Sequence, residues 1–478
     1  MKTMRAMPAG PIVTLALLLV AAALVQGISY WPGIMTADAI NQYGQAVEGA
    51  YDDWHPPIMA WLWHQLIGIH TGPAPMFVIQ LALYWTGYAL IVHDAYRRDQ
   101  RVTAVLVTLC ALMPFPLAIM GAVLKDCLMQ GLLLCAVALS LRSGAPGEAR
   151  GGTRGETWGG GLARSIAVLL LLLAGLLRFN AFLATLPLLL PLLPTALLRT
   201  PVRIAATALV ALAVTLVAMP LTNRLIGAEP SGVTLSLVIF DLGGITRHTG
   251  VSMLPDVGVA NPVAVNAHCY RPDKWDSYSP WGHPPCPIGF DRIRQTLDDT
   301  GTSAFPLWAR AVLAHPIAYA RHRADHFNLN ARFLVHDEVV GAAPDRAVEN
   351  EWGFTVPMNA GLRFIDRLAA ASVHSPLGWP IWWMVLAAGL IAVSPGLPSR
   401  DRIVPIALSG LLYGLGYLVF SVSVELRYHL WTITSVAIAA AFAAGDIRAG
   451  ARIGRARALA AFAPAIVVGL LCTAWRLA

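Results

Sequence analysis

The feature that most constrains this 478-residue chain is a succession of uncharged apolar runs, most of them long enough to cross a lipid bilayer. An α-helix rises about 1.5 Å per residue, so roughly 20 apolar residues span a hydrocarbon core. Runs near that length occupy residues 12–30, 75–93, 102–123, 127–141, 165–177, 181–198, 204–223, 377–394, 403–422, 428–445 and 458–475. They predict an all-α polytopic membrane protein with about 11 transmembrane helices. Only 13% of residues are charged, against about 25% in soluble domains. That gap excludes a water-soluble enzyme, a disordered chain and a disulfide scaffold. Lys2 and Arg5 precede the first run, and no small-x-small cleavage site comes before Tyr30-Trp31-Pro32, which predicts an uncleaved signal anchor. Pro187, Pro191 and Pro194 interrupt 165–198, so this stretch reads as two spans or as a re-entrant hairpin.

Lys and Arg in short loops favour the cytoplasmic side. With the N-terminus inside and every run crossing, the inner loops are 1–11, 94–101, 142–164, 199–203, 395–402 and 446–457. They carry 17 of the 34 Lys and Arg but only 6 of the 27 acids. The inside is then +11 and the remainder −4, so the net charge of +7 mainly records insertion. The Arg-rich inner loops contact anionic lipid, and nucleic acid is not expected. The Ala-, Arg- and Pro-rich composition points to a bacterial inner membrane.

Two segments fall outside. One is the first outer loop, 30–74; the other, 224–376, is long enough for a domain of its own, expected to be of mixed structure. The chain thus divides into an N-terminal transmembrane module (1–223), an outer, periplasmic domain (224–376) and a C-terminal transmembrane module (377–478). Trp54–His70 is apolar, but a crossing there would invert every later loop, so it reads as a helix on the outer surface. Ala145–Gly161 reads as a flexible inner loop.

This topology sends the unusual polar residues to one face, and charges at membrane depth are costly enough to suggest function. Asp38 follows the first span; it either caps a helix, where Thr36 is the better cap, or acts as a general base. Tyr51-Asp52-Asp53-Trp54-His55-Pro56-Pro57 reads as a rigid turn presenting polar groups. Lys125-Asp126 is either an ion pair closing a turn or a partner for a lipid phosphate. Arg178 and Arg427 either snorkel or fork onto phosphate oxygens. Asn180 shares the turn with Arg178. Asp241, just before Gly243-Gly244, reads as a turn residue.

The early Asp38 and the acidic-aromatic-His-Pro-Pro turn resemble the first outer loop of protein O-mannosyltransferases and their GT-C glycosyltransferase relatives. The resemblance is specific over about 25 residues and architectural elsewhere. Lys125-Asp126, Arg178-Phe179-Asn180, Phe240-Asp241-Leu242-Gly243-Gly244 and Arg427-Tyr428 are also similar to uncharacterised bacterial GT-C-like membrane proteins. The resemblance implies a polyprenyl-phosphate sugar donor, Asp38 as base or acceptor-binding residue, and Asp53, His55, Pro56 and Pro57 as supports of the site. Two departures stand out: Asp38 is followed by Ala39 rather than a second acid, and 224–376 does not read as a sugar-binding trefoil.

Cys269 and Cys286, 17 apart in the outer segment, are expected to pair as a disulfide. Their spacing with His268 and His283 matches no standard zinc site. Trp308–Arg323 reads as a surface helix broken at Pro316, with His315, His322 and His326 solvated or interfacial.

The expected function is transfer of a sugar from a polyprenyl phosphate to an acceptor glycan, lipid or protein at the outer face of the membrane. Asp38 is the expected base with Asp53 as second candidate, and Lys125, Arg178 and Arg427 bind the donor phosphate. His55, Pro56, Pro57, Asp126, Asn180 and Asp241 shape the site. A divalent metal is compatible with this chemistry but not required by it. The rival is a transporter or flippase of lipid-linked sugar, which should place charges along a path through the membrane.

Overall fold

A backbone in hydrocarbon must satisfy its own polar groups, and a helix does so within one segment. Each apolar run accordingly lies wholly or largely on helix in the computed structural model, which describes residues 10–142, 154–336, 341–344 and 350–478. Up to residue 226 come α1 (Gly10–Tyr30), α2 (Ala37–Glu48), α3 (Ile58–Ile67), α4 (Ala74–Arg97), α5 (Arg101–Ala111), α6 (Pro114–Ile119), α7 (Lys125–Arg142), α8 (Arg154–Gly175), α9 (Phe182–Leu189) and α10 (Pro201–Ile226). The segment expected outside contains α11 (Thr234–Thr249), α12 (Pro262–Cys269), α13 (Phe290–Asp299), α14 (Ala304–Ala314), α15 (Pro316–Asn330) and α16 (Ala360–Ser372). The chain closes with α17 (Pro380–Val393), α18 (Arg400–Gly416), α19 (Leu430–Arg448) and α20 (Arg455–Leu477).

Among the described residues five helical stretches are long and apolar enough to cross a bilayer: α1, α4, α10, Leu426–Arg448 and α20. Apolar helices of 10–17 residues include α5, α14 and the stretches 160–175, 182–192 and 380–396. Proline sets several of these lengths, because it removes an N–H and clashes with the preceding turn. Pro114 opens α6 and divides the run 102–123, while Pro191 and Pro194 turn the end of α9 into short 3-10 segments. Faces of α1, α10 and α20 expose Ile28, Val202, Leu209 and Leu470. Side chains of this kind need lipid, and the chain is a multi-pass membrane protein.

α19 runs through the core, with Trp431, Ile433, Val436 and Phe442 fully buried. α4 and α7 cross closely where Gly87 meets Leu134 and Gly131 meets Leu83; a Cβ on either glycine would come within 2.7 Å of the facing leucine Cβ. Small residues permit that approach. At one end of the bundle Asp446 accepts from the Ser399 N–H at 2.7 Å and from its hydroxyl at 2.8 Å, and Arg402 reaches Gln100 at 3.2 Å. These residues lie at or next to the loops assigned inside by charge. The 19 residues of α19, about 28 Å of helix, separate this end from Arg427 and the polar residues assigned outside.

Several expectations change. The segment 224–376 is helical rather than mixed: among the described residues there is no strand, only isolated bridges at Ile34–Ala122, Asp52–Glu229 and Lys274–Ser423. It has its own apolar core, including Ile239, Phe240, Ile245, Tyr278 and Ile293. The helix break at Pro316 is present, but His322, Arg323 and His326 are buried rather than interfacial. The ring of Phe240 sits 4.6 Å from His322 and 5.0 Å from His326. Gly244 makes this possible, since a Cβ there would lie 2.1 Å from His322 Nδ1. Asp241 is not in a turn; it lies within α11 and is fully buried. Of the expected inner loop 145–161, residues 145–153 lie outside the described residues and the rest opens α8. Trp54–His70 yields only the ten residues of α3, too short to cross.

Candidate active site

Four stretches distant in sequence are joined by backbone hydrogen bonds at one end of the bundle. Ile34 N–H donates to Gly121 at 3.0 Å and Val123 N–H to Ile34 at 3.0 Å, which sets the start of α2 beside the start of α7. Asp53 N–H reaches Glu229 at 3.1 Å, Glu229 N–H reaches Tyr51 at 2.8 Å, and Trp275 N–H reaches Val422 at 2.9 Å. The stretch between α1 and α3 and the segment that follows α10 are thereby fixed around the strip that leads into α19.

Asp38 lies in the first turn of α2, and the cap is Thr36, whose hydroxyl accepts from the Ala39 N–H at 3.4 Å. The Asp38 carboxylate is therefore spared for other partners. Arg427 Nη2 lies 3.0 Å from its Oδ2, Lys125 Nζ 3.7 Å from the same oxygen, and His55 Nε2 3.7 Å from Oδ1. Burial alone would raise this carboxyl; Arg427, Lys125 and His55 together outweigh it and hold it well below the usual carboxylate range. The His55 ring is pushed down to about 3, first by burial and then by the Lys125 charge.

Lys125 and Asp126 do not close a turn on each other. Lys125 donates to His55 Nδ1 at 2.6 Å, whereas Asp126 pairs with Arg178 and lies 3.9 Å from Arg427 Nη1. Successive residues of a helix point about 100° apart, so one turn of α7 serves both sides of the cluster. Arg178 does not snorkel; its guanidinium also stacks 4.4 Å from the Tyr428 ring centre, with Tyr417 at 5.9 Å. Arg427 pairs with both oxygens of Glu425, Nη2 to Oε1 at 2.9 Å. Asn180 is buried in the turn after Arg178.

The cluster thus unites Asp38, His55, Lys125, Asp126, Arg178 and Arg427, and adds Glu425, Tyr417 and Tyr428. The adjacency Arg427-Tyr428 was the only sequence hint of the aromatic support. Side-chain exposure orders the groups: Asp126 1%, Lys125 9%, Arg178 12%, Arg427 13%, Asp38 24% and Glu425 37%. The two carboxylates at the open side are Asp38 and Glu425.

Two expected site residues lie elsewhere. Asp53 accepts from the Ser231 N–H and hydroxyl, both at 2.6 Å, and latches the first loop to the outer segment. Its neighbour Trp54 packs among Trp275, Trp281 and Phe290, and the buried Pro56-Pro57 pair then directs the chain into α3. Asp241 anchors a second network, pairing with Arg323 at 2.6 Å and His322 at 3.0 Å and accepting from the Trp308 indole at 2.7 Å. Burial raises the Asp241 carboxyl, but Arg323 and His322 prevail and leave it lowered. Arg323 donates to Ser421 O at 2.7 Å and Asn330 to Ser423 O at 3.2 Å, so this network braces the strip that carries Glu425 and Arg427. Cys269 and Cys286 are joined by a disulfide. No group of three His, Cys, Asp or Glu side chains among the described residues is arranged to hold a metal ion.

No family model matches the chain and no curated protein matches it. Among solved structures it is similar to the Archaeoglobus fulgidus oligosaccharyltransferase tethered to an acceptor peptide containing the NVT sequon, at 13% identity and a TM-score of 0.36. The likeness covers 97% of this chain and 55% of that one, so the chain spans about half the length of that protein.

Proposed function

We propose that this chain is a GT-C-type glycosyltransferase that moves a sugar from a polyprenyl phosphate to an acceptor hydroxyl at the outer face of the membrane. The observation that carries this reading is the convergence of Lys125 and Arg427 on Asp38, with Arg178 joined to them through Asp126, at one end of the bundle rather than along a path through it. In a single displacement the acceptor oxygen attacks the anomeric carbon and its proton passes to the Asp38 carboxylate. The bond from that carbon to the phosphate oxygen breaks, and its electron pair leaves with the polyprenyl phosphate. The departing phosphate gains one negative charge, which cations already in place stabilise without reorganising. The configuration at the anomeric carbon inverts.

Each supporting residue follows from its contacts. His55 holds the Lys125 ammonium, Asp126 holds Arg178, and Tyr417 and Tyr428 fix the guanidinium plane of Arg178. Asp53, Pro56 and Pro57 position the loop that presents His55. Residues 224–376 cap the site and select the acceptor, and a donor phosphate that nears Asp38 raises the basicity of its carboxylate. Proteoliposomes containing the chain and a radiolabelled polyprenyl-phosphate sugar test the reading. Chain-dependent loss of label from the donor lipid to an envelope acceptor is expected; donor consumption equal to that of empty liposomes refutes it.

A further inference from the structure

The planar fork of Arg427 is already occupied. Its Nε and Nη2 donate to the two carboxylate oxygens of Glu425, and Tyr428 donates to Oε1 at 3.2 Å. Nη1 is buried and makes no hydrogen bond; Asp126 Oδ2 lies 3.9 Å away. A carboxylate and a phosphate offer a guanidinium the same paired oxygens, so one edge of Arg427 cannot serve both. The charge count points the same way. Lys125, Arg178 and Arg427 are balanced by Asp38, Asp126 and Glu425, with His55 neutral, so an added phosphate leaves the cluster with excess negative charge. One carboxylate must give way. Asp126 is 1% exposed and paired with Arg178, and Asp38 is held by three partners. Glu425 is 37% exposed, sits on extended backbone ahead of the helical turn Leu426–His429, and returns to water at the least desolvation cost.

We infer that Glu425 is an internal ligand of the donor site, which occupies the Arg427 fork until a phosphate displaces it. The inference rests on the reading of Arg427 as a donor-phosphate cation. It makes Glu425 a gate rather than a brace, and the two roles predict effects of opposite sign. As a gate, its neutralisation removes a competitor and tightens phosphate binding; as a brace, the same change loosens Arg427 and weakens it.

The experiment measures binding of a polyprenyl monophosphate, and separately of inorganic phosphate, to the purified full chain in nanodiscs. The variants are Glu425→Gln, Glu425→Ala and Arg427→Ala, each checked for an unchanged melting temperature. Both Glu425 variants are expected to bind about tenfold tighter, one step on the affinity scale, with a lower KM for the sugar donor. Tightening for inorganic phosphate as well shows that the headgroup chemistry suffices; tightening confined to the lipid-linked form shows that the chain must be anchored for displacement. If Arg427→Ala weakens binding while both Glu425 variants bind no tighter than the unaltered protein, the gate is refuted and the phosphate site stands. If the unaltered chain binds neither phosphate, both fall.

Discussion

Lys125 Nζ lies 2.6 Å from His55 Nδ1, which makes that ring nitrogen an acceptor and leaves the imidazole proton on Nε2, facing Asp38 at 3.7 Å. A second proton on this ring would set a new cation beside the ammonium. Burial and Lys125 accordingly hold His55 at about 3, against about 6.5 in an unfolded chain. Between those limits the unfolded chain binds more protons, so His55 contributes a loss of stability as pH falls from about 6.5 towards about 3. His55→Gln is expected to narrow the difference in melting temperature between about pH 7 and about pH 5, measured in detergent. An unchanged pH dependence contradicts the assignment.

Asp53 and Asp38 both lie between α1 and α3 but have different partners. Removing the Asp53 carboxylate leaves the half-buried N–H and hydroxyl of Ser231 without their acceptor, a loss of about 1–3 kcal/mol. Asp53→Ala should therefore lower the melting temperature, and Ser231→Ala should shift it the same way by less. A variant of Asp53 that unfolds like the unaltered protein argues against the latch.

Asp241 is fully buried between Arg323, His322 and Trp308. Breaking a buried pair from one side costs about 3–5 kcal/mol, because the remaining charge is stranded. Asp241→Ala should therefore destabilise the protein strongly, and Asp241→Ala with Arg323→Met should recover part of the loss. A small effect of the single variant would show that Arg323 is balanced by another group.

The parts of this fold legible in the sequence are those set by local chemistry. Apolar runs gave helices, Thr36 capped α2, and Pro316 broke the helix it was expected to break. The site residues Asp38, His55, Lys125, Asp126, Arg178 and Arg427 stood out because charge is costly at membrane depth. Their pairing was not legible. Lys125 and Asp126 are adjacent in sequence but face different partners, and only the register of α2 against α7 through Ile34 and Gly121 decides which. Glu425 stands two residues before Arg427 in the sequence, and only the fold closes its carboxylate on the Arg427 guanidinium. Asp241 misled because Gly243-Gly244 carries a turn-like pattern, while in α11 the missing Cβ of Gly244 makes room for His322. The burial of His322 and His326 is a tertiary effect of Phe240, invisible to helical periodicity.

Single-turnover transfer of radiolabelled sugar by the purified chain reads the proposed chemistry itself. Asp38→Asn keeps the shape of the side chain and removes its ability to take a proton. Its transfer rate should fall by about 10²–10⁴-fold, the usual contribution of a general base, with folding unaltered. Arg427→Ala should lower the rate as well, since the departing phosphate loses a buried cation. Transfer at the unaltered rate by stably folded Asp38→Asn and Arg427→Ala proteins would contradict the assignment of this site.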